Sequence, residues 1–474
     1  MQNPSYHVVE DAVNTNGGSI SAAEAHGMPA GMLCVSMITP GEYKQRRKTL
    51  MQGMKKNAIA LLASAPSVAR SRDVEYPYRQ DSDFHYLTGF DEPEAMAVFA
   101  PGRKEGEFIL FCRKFDETKA VWTGKHAGLE GAKEQFAAGE AFPIEDFAAT
   151  LPTLLDGKRV VNYPVGVNTE LDRQVMAAVN ALRGKIRTGA KPPEEFTALD
   201  RVLHEMRLLK SRDEIALMRK AVEVSIHAHK RAMAVCRPGM FEYQIEAELS
   251  HECMRHGLRH AAYPSIVAGG RNACVLHYTE NADLLRDGDL LLIDAGAEFG
   301  SYAADITRTF PVNGRYSEPQ RLLYELVLDA QLAAIEKIRP GNAWIEPHDA
   351  AVRVLVRGLV KLGLLQGRVR KLIKDEAYKP FFMHRTGHWI GMDVHDVGDY
   401  KVDEKWRKLE PGMVLTVEPG LYVPPTCMEA DPKWRGMGIR IEDDVLVTPK
   451  GCEVLSAALP KTVAEIEAFM EAGR

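Results

Sequence analysis

Five residues able to ligate a metal lie in order along the C-terminal half of the 474-residue chain: Asp294, Asp305, His388, Glu418 and Glu442. Four carboxylates cannot share one small volume at neutral pH unless cations neutralise them, and one imidazole among many oxygens suits a hard-to-borderline divalent metal. The set reads as a dinuclear metal hydrolase.

Asp294 and Asp305 flank the turn-like stretch GAEFGSY, a pattern that suits two neighbouring strands of a hairpin presenting carboxylates to one cavity. Leu291, Leu292 and Ile293 draw Asp294 into a buried sheet, where a charge without a partner costs about 3–5 kcal/mol. Taken alone, either aspartate is equally well read as a turn cap or as a partner of Arg308. Glu418 stands directly before Pro419 and Gly420, which break its strand and leave the carboxylate facing a cleft. In IRIEDD, strand alternation puts Arg440 and Glu442 on one face, with Asp443 and Asp444 structural or solvent-facing. A lone glutamate in either place is ordinarily a surface charge, so the metal reading rests on the whole set.

The stretch MHRTGHWIGMDVHDVGDY adds His384 and His395 around His388. Gly387, Gly391 and the alternation of MDVHDV predict a loop followed by a strand rather than one helix face. One histidine per site suffices for ligation, which leaves the others to hold substrate or transfer protons. Cys274, close to His277, reads as a buried structural thiol rather than a nucleophile.

Two kinds of unit must position these groups. From about Thr39 to His204, NAIALLAS, EAMAVFAP, GEFILFCRKF and GKRVVNYPV have the character of buried strands, with helix-like GEYKQRRKTLMQGMKK and AFPIEDFAATLPTLLDG between them, which predicts an α/β domain. TGAKPPEEFTALD reads as a linker or surface crossing, and the boundary is placed near residue 206. Beyond it, a Ser211/Glu214 capping box opens a helix with Ile215, Met218, Val222 and Ile226 on one face. Helices over FEYQIEAELSHECMRHG, from the Ser317/Gln320 box, and over EPHDAAVRVLVRGLVKLG alternate with strand-like DLLLIDAGAEF, YAADITRTFPV, MVLTVEPGLYV and GIRIEDDVLVT. That pattern predicts an α+β layer, a sheet with helices on one side.

The length exceeds that of a single ordinary core, so two domains are the default. A net charge of −5 gives no electrostatic argument for nucleic acid or anionic membrane, and no long uncharged apolar run marks a spanning helix. The cysteines are scattered without a Cys-x-x-Cys pair, which points to a reducing compartment. Residues 1–38 begin with a stretch free of Lys and Arg and read as a disordered leader, with Met32 or Met37 as alternative starts.

LLIDAG with YAADITRTFPV, HRTGHWIGMDVHDVG, LTVEPGLY and GIRIEDD resemble the successive ligand motifs of the pita-bread metallopeptidases, which include methionine aminopeptidases, prolidases and aminopeptidases P. YPYRQDSDFHYLTGFDEPEA is similar to the amino-terminal domain of bacterial aminopeptidases P, and the likeness extends through HEMRLLKS, CRPGMFEY and HYTEN. The resemblance implies an α/β creatinase-like amino-terminal domain over residues 39–205 and an α+β pita-bread catalytic domain over 206–474. It implies two divalent ions, with Mn²⁺ the first choice: Asp294 on one, His388 and Glu418 on the other, Asp305 and Glu442 bridging both.

The same resemblance gives Glu418 the proton shuttle and has His277 and His395 steady the carbonyl oxygen and the tetrahedral intermediate. His384, Tyr422 and Arg440 fall on the proline side. Tyr263, Asp83 and Trp122 fall near the substrate's amino end, a position supplied in some members across a subunit interface. DYKVDEKWRKL departs from the family by its charge; Lys405 and Arg407 both stand where a substrate-contacting arginine is expected, and that role is unassigned.

The implied activity is hydrolysis by a bridging hydroxide of the bond between an N-terminal residue and a following proline, in a cytoplasmic homo-oligomer, dimer or tetramer, with no nucleic-acid or membrane partner. Prolidase, restricted to Xaa-Pro dipeptides, is the rival enzyme; the YPYRQDSDF domain and HRTGHW weigh against it. Methionine aminopeptidases usually lack the large first domain. The rival from another class is a peptide-binding protein that keeps the fold without turnover, against which five intact ligands and two histidines weigh.

Overall fold

The computed structural model describes residues 38–473. The expected leader and both alternative starts lie outside the described residues, apart from Ile38.

Helix α1 (Pro40–Gly53) begins where the Thr39 hydroxyl accepts the Glu42 N–H at 3.2 Å, with Pro40 at the first helical position. There follow β1 (Ala58–Ala63), α2 (Ser82–Thr88), β2 (Met96–Phe99), β3 (Phe108–Cys112), β4 (Glu140–Pro143), α3 (Phe147–Leu155), β5 (Val160–Asn162), α4 (Thr169–Arg183) and β6 (Glu195–Thr197). These strands form one mixed sheet in the order β4-β3-β2-β1-β5-β6, with β1 antiparallel to β2 and parallel to β5. β2 and β3 are unbroken apolar runs because both faces are covered. On one face, Phe147, Leu151, Val175 and Val179 pack against Ile59, Leu61, Val98 and Phe111. The segment TGAKPPEEFTALD is more than a linker, since Glu195–Thr197 pairs with β5 as the edge strand. An edge strand needs pairing on one side only, so it tolerates the prolines just before it.

Helix α5 (Asp200–Leu208) leads to α6 (Arg212–Val235), which starts at the reciprocal Ser211/Glu214 capping box. Met218, Val222 and Ile226 of α6 are buried, and Ile215 is half-buried. After α7 (Glu242–Arg255), strands β7 (Ile266–Gly269), β8 (Leu290–Asp294) and β9 (Thr307–Pro311) form an antiparallel sheet with β8 at its centre. The connection from β8 to β9 is not a tight turn; it carries its own small hairpin, Glu298–Phe299 paired with Tyr302–Ala303.

Helices α8 (Glu318–Ile335) and α9 (Ile345–Lys361) precede β10 (Val414–Val417), β11 (Gly420–Val423), β12 (Met437–Arg440), β13 (Asp443–Thr448), β14 (Gly451–Val454) and α10 (Val463–Ala472). Hydrogen bonding divides the predicted strand layer into two three-stranded sheets, β9-β8-β7 and β10-β13-β14, and the pair β11-β12. One apolar core joins them to α6, α8 and α9 through residues such as Val222, Ile293, Phe310, Val327, Leu355 and Val445. MDVHDV does not form the strand its alternation predicts. The segment folds back on itself instead, with the Asp396 N–H on the Trp389 carbonyl at 2.9 Å.

Candidate active site

Each carboxylate of the predicted set sits at or just beyond the end of a strand. Asp294 ends β8, where it pairs in register with Thr307, and Asp305 lies two residues before that threonine. Glu418 follows β10 directly, its N–H on the Thr386 carbonyl at 2.8 Å. Glu442 occupies the junction of β12 and β13, its N–H on the Thr307 carbonyl at 3.0 Å. His388 is held beside β10, because its N–H donates to the Thr416 hydroxyl at 3.0 Å and its carbonyl accepts the Thr416 N–H at 3.0 Å. Gly387 permits this crossing: a Cβ there would stand 2.1 Å from the Thr416 carbonyl oxygen.

All five line one cavity of about 1070 Å³, together with Tyr263, His277, His384, His395 and Arg440. Among the described residues, the ligating atoms of Asp305, His388 and Glu442 lie within 4.8 Å of one another. His388 Nε2 stands 3.4 Å from Asp305 Oδ2 and 3.6 Å from Glu418 Oε1. His388 Nδ1 meets the Trp389 carbonyl at 2.9 Å, which directs Nε2 at the carboxylates, the orientation a histidine ligand takes.

The electrostatics fit a divalent-cation site. Burial pushes Asp305 up, with the Asp294 charge adding to it. Burial also raises Glu418 to about 7 against the pull of His388, and carries Glu442 well above the usual range with help from Asp305. His388 rises to about 9 because Asp305 and Glu418 outweigh its burial. Asp294 alone is lowered: Arg440, at 2.6 Å, and the Tyr263 hydroxyl overcome the burial. Tyr263 also contacts Asp305. A phenol has one proton to donate, shared here between the two carboxylates, while burial and mutual repulsion favour the protonated forms of Asp305, Glu418 and Glu442. Protons thus accumulate where cations would neutralise the same oxygens.

A second layer fixes these groups. The Thr307 hydroxyl donates to Glu442 Oε2 at 2.6 Å and accepts Arg440 Nε at 3.2 Å. The Thr416 hydroxyl reaches Glu418 Oε1 at 3.2 Å. Sequence reasoning overlooked both threonines, although each stands two residues from a carboxylate on a strand and so shares its face. Asp443 and Asp444 are fully buried rather than solvent-facing. Arg308 pairs with Asp443 at 2.8 Å, and so serves neither Asp294 nor Asp305. Asp444 accepts the Asp305 N–H at 3.0 Å.

Tyr422 bridges Arg440 Nη1 and His384 Nε2, each at 2.9 Å. His384 Nδ1 meets the Arg385 carbonyl at 2.7 Å, so the Tyr422 O–H donates to Nε2 of a neutral ring. Burial, with Arg440 adding, lowers that histidine to about 4. The His395 ring stands edge-on to His388 with centroids 4.4 Å apart. Cys274 is a partly buried thiol against the Val423 carbonyl, and burial pushes it up to about 12, unsuited to a nucleophile.

The two first-lobe residues expected near the substrate do not line this cavity. Asp83 is drawn away by Arg207 at 2.6 Å and His204 at 3.4 Å. Trp122 lies on a short surface helix, Glu117–Thr123, and is 85% exposed, which also rules out a core role within this chain. Lys405 and Arg407 are likewise outside the cavity lining, whereas Lys401, Trp406 and Arg385 belong to it.

Residues 216–449 match the model of metallopeptidase family M24, and residues 43–162 match that of the aminopeptidase P N-terminal domain. The chain is 47% identical over 441 residues to the Xaa-Pro aminopeptidase of Escherichia coli K12, across 93% of this chain and 100% of that one. Among solved structures, aminopeptidase PepP of Pseudomonas aeruginosa matches with a TM-score of 0.91 at 57% identity, covering 92% of this chain and 99% of that one. A zinc-substituted E. coli aminopeptidase P in complex with product matches at 0.90 and 47% identity, covering 93% and 100%.

Proposed function

The chain belongs to metallopeptidase family M24, with an aminopeptidase P N-terminal domain ahead of the catalytic one, and from that premise we propose that it removes the N-terminal residue of peptides whose second residue is proline. The observation that carries this reading is the convergence of four carboxylates and His388 in one cavity beside His384 and Arg440, which the buried Tyr422 hydroxyl ties together.

Asp294, Asp305, His388, Glu418 and Glu442 would hold two divalent ions; one imidazole among many oxygens accepts Mn²⁺, Co²⁺, Fe²⁺ or Zn²⁺, and the family resemblance makes Mn²⁺ the first choice. When bound, such ions supply Lewis-acid polarisation of a carbonyl and acidify water. Glu418 takes the proton of the attacking water and delivers it to the leaving proline nitrogen. His277 and His395, both in the cavity lining, donate to the oxygen on which negative charge develops. His384 and Arg440 line the side that receives the pyrrolidine ring, whose tertiary amide has no N–H to satisfy, and Tyr422, buried behind them and outside the cavity lining, holds both in place. Tyr263 orients Asp294 and Asp305 from the amino-end side.

We place the domain boundary near residue 206, as completion of the first sheet by Thr197 supports. A homo-oligomer accords with the exposure of Trp122, which is then available to a neighbouring copy. A cytoplasmic location accords with the lack of any disulfide among the described cysteines. No described helix is long and apolar enough to cross a membrane.

The test strips the protein of metal, reconstitutes it with Mn²⁺ and compares a Xaa-Pro-Xaa tripeptide, a Xaa-Pro dipeptide and a Xaa-Ala-Xaa control. Metal-dependent release from the tripeptide alone is expected. Dipeptide-only cleavage moves the protein to prolidase, and no cleavage of any peptide overturns the proposal.

A further inference from the structure

The loop that carries His395 is pinned by the helix at the domain boundary and by the first lobe. Arg207, on the connecting helix α5, donates Nη2 to Asp396 Oδ1 at 2.6 Å and to Asp393 Oδ2 at 2.7 Å, while its Nη1 reaches Asp83 Oδ1 at 2.6 Å. Lys210 Nζ takes the other oxygen of Asp396 at 2.8 Å. Two residues of the first lobe complete the grip: the Ser82 hydroxyl donates to Asp393 Oδ1 at 2.6 Å, and Arg79 Nη2 donates to the Met392 carbonyl at 2.6 Å. The side chains of Arg207, Lys210 and Asp396 are no more than 3% exposed.

The clamp acts one residue from His395. Its target, Asp396, also donates its N–H to the Trp389 carbonyl, so it ties the His395 end of the loop to the His388 end. The loop is shaped around the ion pair: a Cβ on Gly391 would stand 2.1 Å from Asp396 Oδ2 and 2.8 Å from Lys210 Cε. Buried ion pairs add little net stability over apolar packing of the same volume, whereas a forked guanidinium with several partners fixes position.

We propose that Arg207 is a positioning residue for His395, acting through Asp396, so that the connecting helix and the first lobe set the aim of a donor in the catalytic cavity. This rests on the reading of His395 given above. The first lobe is then part of the catalytic apparatus of its own chain, besides any part it plays in bounding the substrate cleft.

The experiment is a double-mutant cycle on the Mn²⁺-reconstituted full chain with a Xaa-Pro-Xaa peptide. Arg207→Met should lower kcat by about 10²-fold, as a 1 Å misplacement does, with KM little changed. In the His395→Ala background the same substitution should lower kcat by no more than about twofold, because the group it positions is gone. Asp396→Asn, which keeps the shape and removes the charge, should follow the same pattern and serves if Arg207→Met does not fold. Equal losses in both backgrounds, as a merely structural role would give, overturn the inference. So do wild-type rates in Arg207→Met, with the proposed function intact. A wild-type chain that cleaves no peptide overturns both readings.

Discussion

Arg440 Nη2 meets Asp294 Oδ2 at 2.6 Å inside the cavity that gathers the other three carboxylates. The guanidinium offsets one of the four negative charges, and in the metal-free site a charged His388 offsets a second; a bound cation displaces that histidine proton and leaves three to neutralise. Adding Mn²⁺ to chelator-stripped protein should therefore raise the thermal midpoint. Free metal at 100 times its dissociation constant is worth about 2.7 kcal/mol. Unfolding curves that coincide with and without Mn²⁺ would mean the cavity does not bind it.

Glu418→Gln keeps the side-chain shape and removes the proton acceptor. We expect kcat to fall by about 10²–10⁴-fold, the usual span for a general acid–base group. Metal content should be measured on the same samples; full occupancy with near-normal turnover contradicts the shuttle role.

His277→Ala and His395→Ala should each cost about 10²–10³ in kcat while leaving bound metal unchanged, the pattern of a lost donor to developing charge. Metal loss in step with the rate loss would instead make them structural supports.

Asp396 gives a pH dependence with a definite sign. Burial pushes its carboxyl up, but Lys210 and Arg207 push it down further, so it titrates below the usual aspartate range. Its contribution to stability is present above the unfolded aspartate value of about 3.9 and is lost as pH falls through the lower folded value. Asp396→Asn should be less stable than wild type at pH 7 in urea unfolding, with the gap closing below about pH 4. A gap that does not change with pH would exclude this ion pair as its source.

Gly387→Ala brings a Cβ to 2.1 Å from the Thr416 carbonyl oxygen. The crossing next to His388 must then open, at about 1–3 kcal/mol as for other overpacked sites. Calorimetry should record a lower midpoint, and weaker Mn²⁺ binding should accompany it. An unchanged midpoint would show that the loop has room to give.

The strands bearing Asp294, Glu418 and Glu442 were legible because a strand writes its burial in adjacent residues: LLLID and VLTV are apolar runs that stop at the carboxylate. The helix starts at Ser211 and Ser317 were legible for the same local reason. MDVHDV misled because alternation alone says nothing about a pairing partner, and the segment's polar groups are taken by its own turn and by Arg207. Glu195–Thr197 was missed because an edge strand so short carries too little period to read.

By itself the sequence determined the donor types, their order and the strands that carry them, since these follow from local patterns of side chain and backbone. Which charge meets which was decided only by the tertiary structure. Arg308, three residues beyond Asp305, pairs with Asp443, while Asp294 finds Arg440. Arg207 reaches Asp83 and Asp396 across sequence separations of 124 and 189 residues. Coulomb energy in a buried site depends on distances of a few ångströms, and those are set by strand register and lobe packing rather than by neighbours along the chain.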